Sequence, residues 1–187
     1  MHNLFLLTVK HTGTHFAFNF LTNLGMAIGS QYSHLHVTDY LPKKRKYERI
    51  LNSKVLLTAR DPRLGALRVA GQMQNIQSSQ QNVNVLATSW GVFLDLLPKI
   101  NHHIIDIGCV PEQRHSHINS AIEFLGRKPL PDLNKFVDSW TPANVNKENK
   151  EYKITYLETG DLPPKIDFTG LDRAYEWYKS LPTNALY

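Results

Sequence analysis

The fold is decided by residues 4–21, LFLLTVKHTGTHFAFNFL. Residues 3–9 form a short, apolar and partly β-branched run, which is typical of a buried strand. Residues 10–15, KHTGTH, then interrupt the run with basic and hydroxyl side chains around one glycine. Apolar side chains return at positions 16, 18, 21, 24 and 28, a spacing that predicts a helix with one buried face. The stretch therefore predicts a strand, a basic loop and a helix in succession.

A basic, glycine-containing loop between a strand and a helix is well suited to binding an anion. The backbone N–H groups of such a loop and the positive end of the helix dipole point towards the same negatively charged group, usually a phosphate. The alternative is an ordinary turn that binds no ligand. We predict an anion-binding loop made of Lys10, His11, Thr12, Gly13, Thr14 and His15.

The composition is that of a soluble globular protein with one domain. The chain has 187 residues, of which 42% are hydrophobic, and its formal charge of +5 favours a nucleotide, a polyanion or a nucleic acid as ligand. Its single cysteine excludes an internal disulfide framework. No apolar run approaches the roughly 18 residues of a membrane span, and the N-terminus does not resemble a signal peptide. We therefore expect a cytoplasmic protein with no membrane partner.

The rest of the chain alternates strand patterns with helix patterns. Further strands are predicted at residues 32–40, 54–59, 102–107 and 152–157. Further helices are predicted at residues 43–51, 62–73, 85–97, 112–125 and 171–181, with a Gln/Asn-rich loop or frayed end at 74–84. This alternation predicts an α/β domain with a parallel sheet of about four to five strands flanked by helices. We assign residues 1–187 to one domain, with a core at 1–128 and an irregular segment at 129–187.

Basic or titratable side chains occur at the ends of three predicted strands. Ligands bind at the carboxyl ends of the strands in parallel sheets, and short right-handed connections bring such ends together. A phosphate-binding loop opposite an arginine, with a histidine between them, favours a nucleotide ligand and group transfer. The groups in question are Lys10 and His11, His34 and His36, and Arg60 and Arg63.

Four segments resemble the sulfotransferase family, in the family's order. TVKHTGTHF resembles the 5′-phosphosulfate loop, typically P-K-S-G-T-T-W after a strand. VLLTARDPRLGALRVAG is similar to the 3′-phosphate motif, a strand that runs into R-[DN]-P-x-[DE] and a helix. Between them, YSHLHVTDYLP resembles the K-T-H-x-P strand of the cytosolic branch. HHIIDIGCVPEQRHSHINSAIEFLGRKPLPD resembles the family's later strand, loop and helix, which end in F-L-G-x-P-L.

The resemblance implies a P-loop-NTPase-like sulfotransferase fold and a small-molecule nucleotide donor, 3′-phosphoadenosine 5′-phosphosulfate (PAPS), with no metal. It implies that the 10–15 loop binds the 5′-phosphosulfate. It also implies that Arg60 binds the 3′-phosphate and that His36 is the general base towards a hydroxyl or amine acceptor. From the residues alone, His36 could equally be a structural histidine, and His34 on the same strand face is the next candidate for the base.

Two family positions carry different residues in this chain. The lysine that contacts the phosphosulfate bridge is replaced by His11, with Lys10 one place earlier. Either Lys10 reaches the bridge or His11 acts as a cationic donor. The serine usually found eight residues after the arginine is Arg68, which could bind the same phosphate as a cation. The late R-K-G-x-x-G loop is not recognisable, and Arg127 with Lys128, or residues 140–150, could replace it.

Two other classes of function remain open. A nucleotide or nucleoside kinase would need a G-x-x-x-x-G-K-[ST] loop, which the sequence lacks. A non-catalytic nucleotide- or polyanion-binding protein on the same fold is compatible with the two replaced residues and with the basic run at 43–46. That run lacks interleaved aromatic residues, which disfavours a nucleic acid. No cysteine or carboxylate completes a ligand set with the histidines, so we predict no metal site. The acceptor and the oligomeric state are not indicated.

Overall fold

The computed structural model describes residues 4–10, 12–37, 44–71, 76–108, 111–128, 131–139 and 166–181. Within them the chain forms a parallel four-stranded sheet flanked by helices, as the alternating pattern predicts. The strands are β1 (Leu4–Thr8), β2 (Ser33–His36), β3 (Lys54–Ala59) and β4 (Asn101–Asp106). Their order in the sheet is β2-β1-β3-β4, so β1 and β3 are the two central strands.

Seven α-helices lie in the described part of the chain. They are α1 (Thr14–Asn23), α2 (Lys44–Leu51), α3 (Pro62–Gly71), α4 (Ile76–Leu96), α5 (Pro111–Leu125), α6 (Leu133–Ser139) and α7 (Asp172–Lys179). Short 3₁₀ turns occur at Leu97–Lys99 and Thr169–Leu171. Among the described residues, no helix is both long enough and apolar enough to cross a membrane.

The sheet is covered on both faces, which explains why its central strands are apolar throughout. Successive side chains of a strand point to opposite faces. Leu4 and Leu6 therefore pack with α1, α5 and α6, and Phe5 and Leu7 pack with α3, α4 and α7. On the second face, the ring centroid of Trp177 in α7 lies 5.6 Å from that of Trp90 in α4. The C-terminal helix is thus part of the core layer.

The first helix ends earlier than its apolar spacing predicts. It was expected to continue to Ile28, but α1 stops at Asn23, and Ile28 is 57% exposed. The stop is a Schellman motif: Gly25 donates its N–H to Thr22 O and Met26 donates its N–H to Leu21 O. Gly25 adopts a φ of 69°, which is easy only for glycine.

The prediction of a loop at 74–84 is wrong for residues 76–84, because α4 begins at Ile76. In its first turns Ser79 and Val83 are buried, and Ser79 donates a hydrogen bond to Ala70 O in α3. Glutamine is a good helix former, so a polar surface face does not prevent the helix. Hydrophobic periodicity was too sparse there to indicate it.

Other boundaries differ less. Helix α6 lies inside the segment that was predicted to be irregular. The second strand is confirmed at Ser33–His36, and its predicted continuation to residue 40 passes beyond Val37 into residues outside the described ranges. The predicted strand at 152–157 also lies outside the described residues. Gly126 has a φ of 66° directly after α5, the left-handed conformation typical of a glycine that ends a helix.

The turn between β1 and α1 depends on Gly13. This residue precedes the first turn of α1 with φ 103° and ψ 32°. A Cβ atom at this position would overlap the side chain of Ile107, which follows β4. Both the backbone conformation and the space therefore require glycine here.

We predict that Gly13→Ala destabilises the protein by at least about 1–2 kcal/mol, because an L-residue resists the left-handed conformation and the new methyl group meets Ile107. Gly91→Ala in the interior of α4 is the matched control. A Cβ there meets nothing within 4 Å, so it should stabilise by about 0.5–1 kcal/mol. Urea unfolding of both variants measures the two effects, and equal effects of one sign would contradict this account of the turn.

Candidate functional site

The strand order places a crevice at the ends of the two central strands. The chain leaves β1 through α1 on one face of the sheet and leaves β3 through α3 on the other face. The two connections diverge at the carboxyl edge, which we define as the edge where all four parallel strands end. Such a switch point is where ligands bind in open α/β sheets. In this protein Lys10 and Arg60 follow the two strands that flank the crevice.

The 10–15 loop presents the start of α1 to this crevice. Thr14 and His15 belong to the first turn of the helix, whose N–H groups have no partner within a helix. Gly13 gives the helix no side-chain cap within the described residues. Lys10 and His15 are exposed, whereas His11 lies outside the described residues. The loop therefore directs N–H groups and positive charge to the same place.

Thr12 has a different role from its neighbours in the loop. It is only 2% exposed, and both its N–H and its hydroxyl are directed at Val9 O, at 3.3 and 2.8 Å. The Thr12 hydroxyl also lies 3.0 Å from the hydroxyl of Thr58 near the end of β3. Thr12 thus ties the loop to the neighbouring strand, and its N–H is not directed at the crevice.

Arg60 is a partly buried cation at the end of β3. Burial, followed by the nearby charge of Arg68, lowers its pKa to about 10, while Tyr178 and Asp61 act in the opposite direction. Arg60 remains protonated at neutral pH, but two guanidinium groups in one place raise the local potential. A dianion bound here would relieve their mutual repulsion.

Arg63, the second residue of α3, makes contacts that differ from those of Arg60. Asp61 accepts a hydrogen bond from the Arg63 N–H at 2.8 Å, as an N-cap residue does at the start of a helix. The Arg63 guanidinium lies 3.4 Å from the ring centroid of Tyr175 in α7. Arg63 therefore packs against the C-terminal helix.

The predicted base histidines meet around one buried hydroxyl. The Oγ1 atom of Thr8, the last residue of β1, lies 3.0 Å from His34 Nε2 and 3.1 Å from His36 Nδ1. The Thr14 hydroxyl donates to the same atom over 3.2 Å. These four residues, Thr8, Thr14, His34 and His36, form what we call the Thr8 cluster. It follows from the register, since Thr8 is paired with His36 in the parallel ladder.

Both histidines of the Thr8 cluster are held in the neutral form. Burial, and then the proximity of His36, lowers the pKa of His34 to about 4. The His34 ring also packs edge-on against Phe18, with 4.8 Å between centroids. Burial lowers the pKa of His36 below 6.5, opposed by the Thr8 backbone and reinforced by Lys10 and His15. His36 is nevertheless exposed overall, so its ring can be reached by a substrate.

A buried carboxylate at the end of β4 was not among the predicted site residues. Asp106 is 2% exposed, and its Oδ1 accepts hydrogen bonds from Gly108 N–H at 2.8 Å and from the Tyr178 hydroxyl at 3.1 Å. Tyr178 in α7 in turn raises the pKa of Arg60. A carboxylate at a strand end could have been noticed in the sequence. Tyr178 could not, because its position depends on how α7 packs.

A small pocket opens beside Asp106, and Arg60 is not among its lining residues. Most of its walls are apolar, so it does not suit a phosphate group. Its lining residues are Phe16, Ile105, Asp106, Ile107, Arg114, His117, Ile118 and Val137.

Arg127 and Lys128 do not belong to the candidate site. Lys54, the first residue of β3, donates from Nζ to Phe124 O near the end of α5, at 2.7 Å. The end of α5 therefore lies at the amino edge of the sheet, opposite the crevice. The proposal that these two residues replace the missing loop is wrong for this arrangement, and residues 140–150 lie outside the described residues.

No family model matches the sequence, and no curated protein matches it. In the described residues, no group of three or more histidine, cysteine, aspartate or glutamate side chains could hold a metal ion. Function is therefore inferred from the geometry and charge of the site.

The low pKa of His34 predicts a specific loss of stability in acid. The unfolded chain binds a proton at His34 near pH 6.5, whereas the folded protein binds it only near pH 4. The free energy of unfolding should therefore fall as the pH drops from 6.5 to 4 and be unaffected by His34 above 6.5. His34→Gln removes this contribution, so the free energy of unfolding of the variant should fall less steeply between pH 6.5 and pH 4. Urea unfolding followed by tryptophan fluorescence tests the difference, and identical slopes would contradict it.

Proposed function

We propose that this protein is a PAPS-dependent sulfotransferase, which moves a sulfuryl group to a hydroxyl or amine acceptor. One observation carries the proposal: three adjacent parallel strands end beside one another with complementary groups. The N-terminus of α1 follows β1, a histidine with a lowered pKa ends β2, and a partly buried arginine follows β3. This is the set of groups that the sequence resemblance implies for donor binding and base catalysis.

The two ends of the crevice match the two phosphate groups of the donor. The N–H groups of Gly13, Thr14 and His15 bind the 5′-phosphosulfate, favoured by the positive end of α1. Arg60 binds the 3′-phosphate through two guanidinium N–H groups, and the charge of Arg68 strengthens the attraction. Thr12 contributes by fixing the loop to β3 rather than by direct contact.

Transfer proceeds by in-line displacement at sulfur. His36 takes the proton of the acceptor, whose oxygen or nitrogen forms the new bond to sulfur. The bond between sulfur and the bridging oxygen of the 5′-phosphate breaks, and the product nucleotide is adenosine 3′,5′-bisphosphate. Lys10 and the start of α1 stabilise the charge that develops on the bridging oxygen, and His11 is the second candidate for this role.

A non-catalytic binding protein is the second candidate. The observation in its favour is that the position of the family lysine is occupied by His11, while Lys10 is exposed beside it. Such a protein would bind the bisphosphate without transferring sulfate. A kinase is less well supported, because the buried carboxylate Asp106 already accepts two internal hydrogen bonds on a strand that does not adjoin β1.

The first test is a calorimetric titration with adenosine 3′,5′-bisphosphate. We expect saturable binding that Arg60→Ala weakens by about tenfold or more, because charge-assisted hydrogen bonds to the 3′-phosphate are lost. Arg127→Ala removes the same charge at the opposite edge of the sheet and serves as the control, with affinity unchanged. No saturable binding, or equal effects of the two substitutions, would exclude the donor site. Tighter, magnesium-dependent binding of ATP would instead favour a kinase.

The second test is the pH dependence of sulfate transfer. A general base must be unprotonated, and the pKa of His36 lies below 6.5, so kcat/KM should fall in acid only below that pH. His36→Gln should reduce kcat by about 10²-fold or more. An acidic limb at or above pH 6.5, or a fully active His36→Gln variant, would place the base elsewhere. Bisphosphate binding with no transfer to any acceptor would support the non-catalytic alternative.

A further inference from the structure

The Thr8 hydroxyl has three side-chain hydrogen-bond partners, two of which are the histidines of the proposed base site. It lies 3.0 Å from His34 Nε2 and 3.1 Å from His36 Nδ1, and it accepts the Thr14 hydroxyl proton over 3.2 Å. Thr8 is 0% exposed. The bonding of this oxygen is therefore set by side chains of the protein.

The single proton and two lone pairs of the Thr8 hydroxyl restrict which tautomers the two histidine rings can adopt. A hydroxyl group donates one proton and accepts at two lone pairs. Thr14 occupies one lone pair, which leaves one proton and one lone pair for two histidines. One ring must accept the Thr8 proton while the other donates its N–H. Because the atoms involved are His34 Nε2 and His36 Nδ1, neutral rings must carry their protons either both on Nδ1 or both on Nε2.

The surroundings of His36 favour the first arrangement. The Thr8 backbone raises the pKa of His36, so it interacts favourably with a proton on this ring. Lys10 and His15 lower the pKa, because their positive charge disfavours a second proton on the ring. Because Nδ1 is the ring nitrogen that lies 3.1 Å from Thr8 Oγ1, a proton on Nδ1 faces Thr8, whereas a proton on Nε2 does not.

We propose that Thr8 and His34 are positioning residues that fix the tautomer of His36. In this arrangement His36 donates from Nδ1 to Thr8 Oγ1, and Thr8 donates its own proton to His34 Nε2. The Nε2 atom of His36 is then unprotonated and can accept the proton of a substrate. His34 is thus the end of a relay and not a second base. The catalytic part of this inference rests on the proposed function, whereas the tautomer does not.

The relay also accommodates the charge that catalysis creates. When His36 takes a proton on Nε2, its Nδ1–H still donates to Thr8 and no hydrogen bond has to change direction. His34 does not compete for the proton, since protonation at Nε2 would turn the acceptor of the Thr8 hydroxyl proton into a third donor to that oxygen, after Thr14 and His36. This agrees with the low pKa of His34, about 4. Donors aligned in one direction also strengthen each other.

The tautomer can be measured directly by ¹⁵N NMR of the histidine rings in the unmodified protein, above pH 6.5. The signals of His36 are assigned by their loss in His36→Gln. We expect a protonated Nδ1 and an unprotonated Nε2 for His36. The reverse tautomer would overturn the proposal. Because this measurement requires no donor or acceptor, its failure is distinguishable from failure of the sulfotransferase assignment, which bisphosphate binding tests separately.

Thr8→Val and Thr8→Ser form a matched pair for the catalytic role. Valine keeps the shape but removes the acceptor of the His36 Nδ1–H, which should lower the pKa of His36, average its ¹⁵N shifts towards a mixture of tautomers and reduce kcat/KM about two- to tenfold. The acidic limb of the pH profile then moves to lower pH, and serine should restore the original values. A limb that moves to higher pH would mean that Thr8 donates to His36. That result, or unchanged ¹⁵N shifts in Thr8→Val, would refute the relay.

Discussion

The candidate site depends on the parallel pairing of β1 with β2 on one side and β3 on the other. Because Thr8 is paired with His36, the end of β2 lies beside the end of β1. Pairing with β3 places Arg60 on the other side of the same loop. A hydrogen bond between the hydroxyls of Thr12 and Thr58 ties the loop to β3. A one-residue slip in the first pairing would turn the His36 side chain to the opposite face and separate it from Thr8. The chemistry therefore follows from the register of two ladders.

Charge at the carboxyl edge is unbalanced in favour of cations. Burial is the largest cause of the lowered pKa of both Arg60 and His36, and neighbouring positive charges lower it further: Arg68 beside Arg60, and Lys10 and His15 beside His36. The buried carboxylate Asp106 is engaged by Gly108 and Tyr178. An anionic ligand would reduce the repulsion at both ends of the crevice. The same positive charges add to burial in lowering the pKa of His36, so they act in the direction that the proposed donor binding and base catalysis both require.

Much of the fold was predictable because hydrophobic patterning is strong in the central strands. Residues 54–59 are apolar on both faces, and a strand of this kind must be covered on both sides. The start of α4 was missed because apolar residues are sparse in the sequence at 76–82. The end of α1 was predicted too late because the apolar spacing continues to residue 28, whereas a Schellman motif at Gly25 ends the helix. Local backbone conformation at Gly25 therefore decided where α1 ends.

The site was predictable where it depends on strand ends and not where it depends on tertiary packing. Lys10, His36 and Arg60 could be named because the strands that carry them could be recognised. The internal role of Thr12 and the central position of Thr8 became visible only with the register, since both involve contacts to other strands. Tyr178 reaches Asp106 from a helix 72 residues later in the chain. No pattern within one segment could indicate such a contact.

The most direct measurement is a crystal structure of the protein with adenosine 3′,5′-bisphosphate bound. The proposed site predicts the 5′-phosphate within hydrogen-bonding distance of the N–H groups of Gly13, Thr14 and His15, with the 3′-phosphate on the Arg60 guanidinium. The 5′-phosphate should also lie on the side of the crevice where His36 can reach a sulfuryl group. A nucleotide bound away from the ends of β1 and β3, for example near Arg127 at the amino edge, would contradict the assignment.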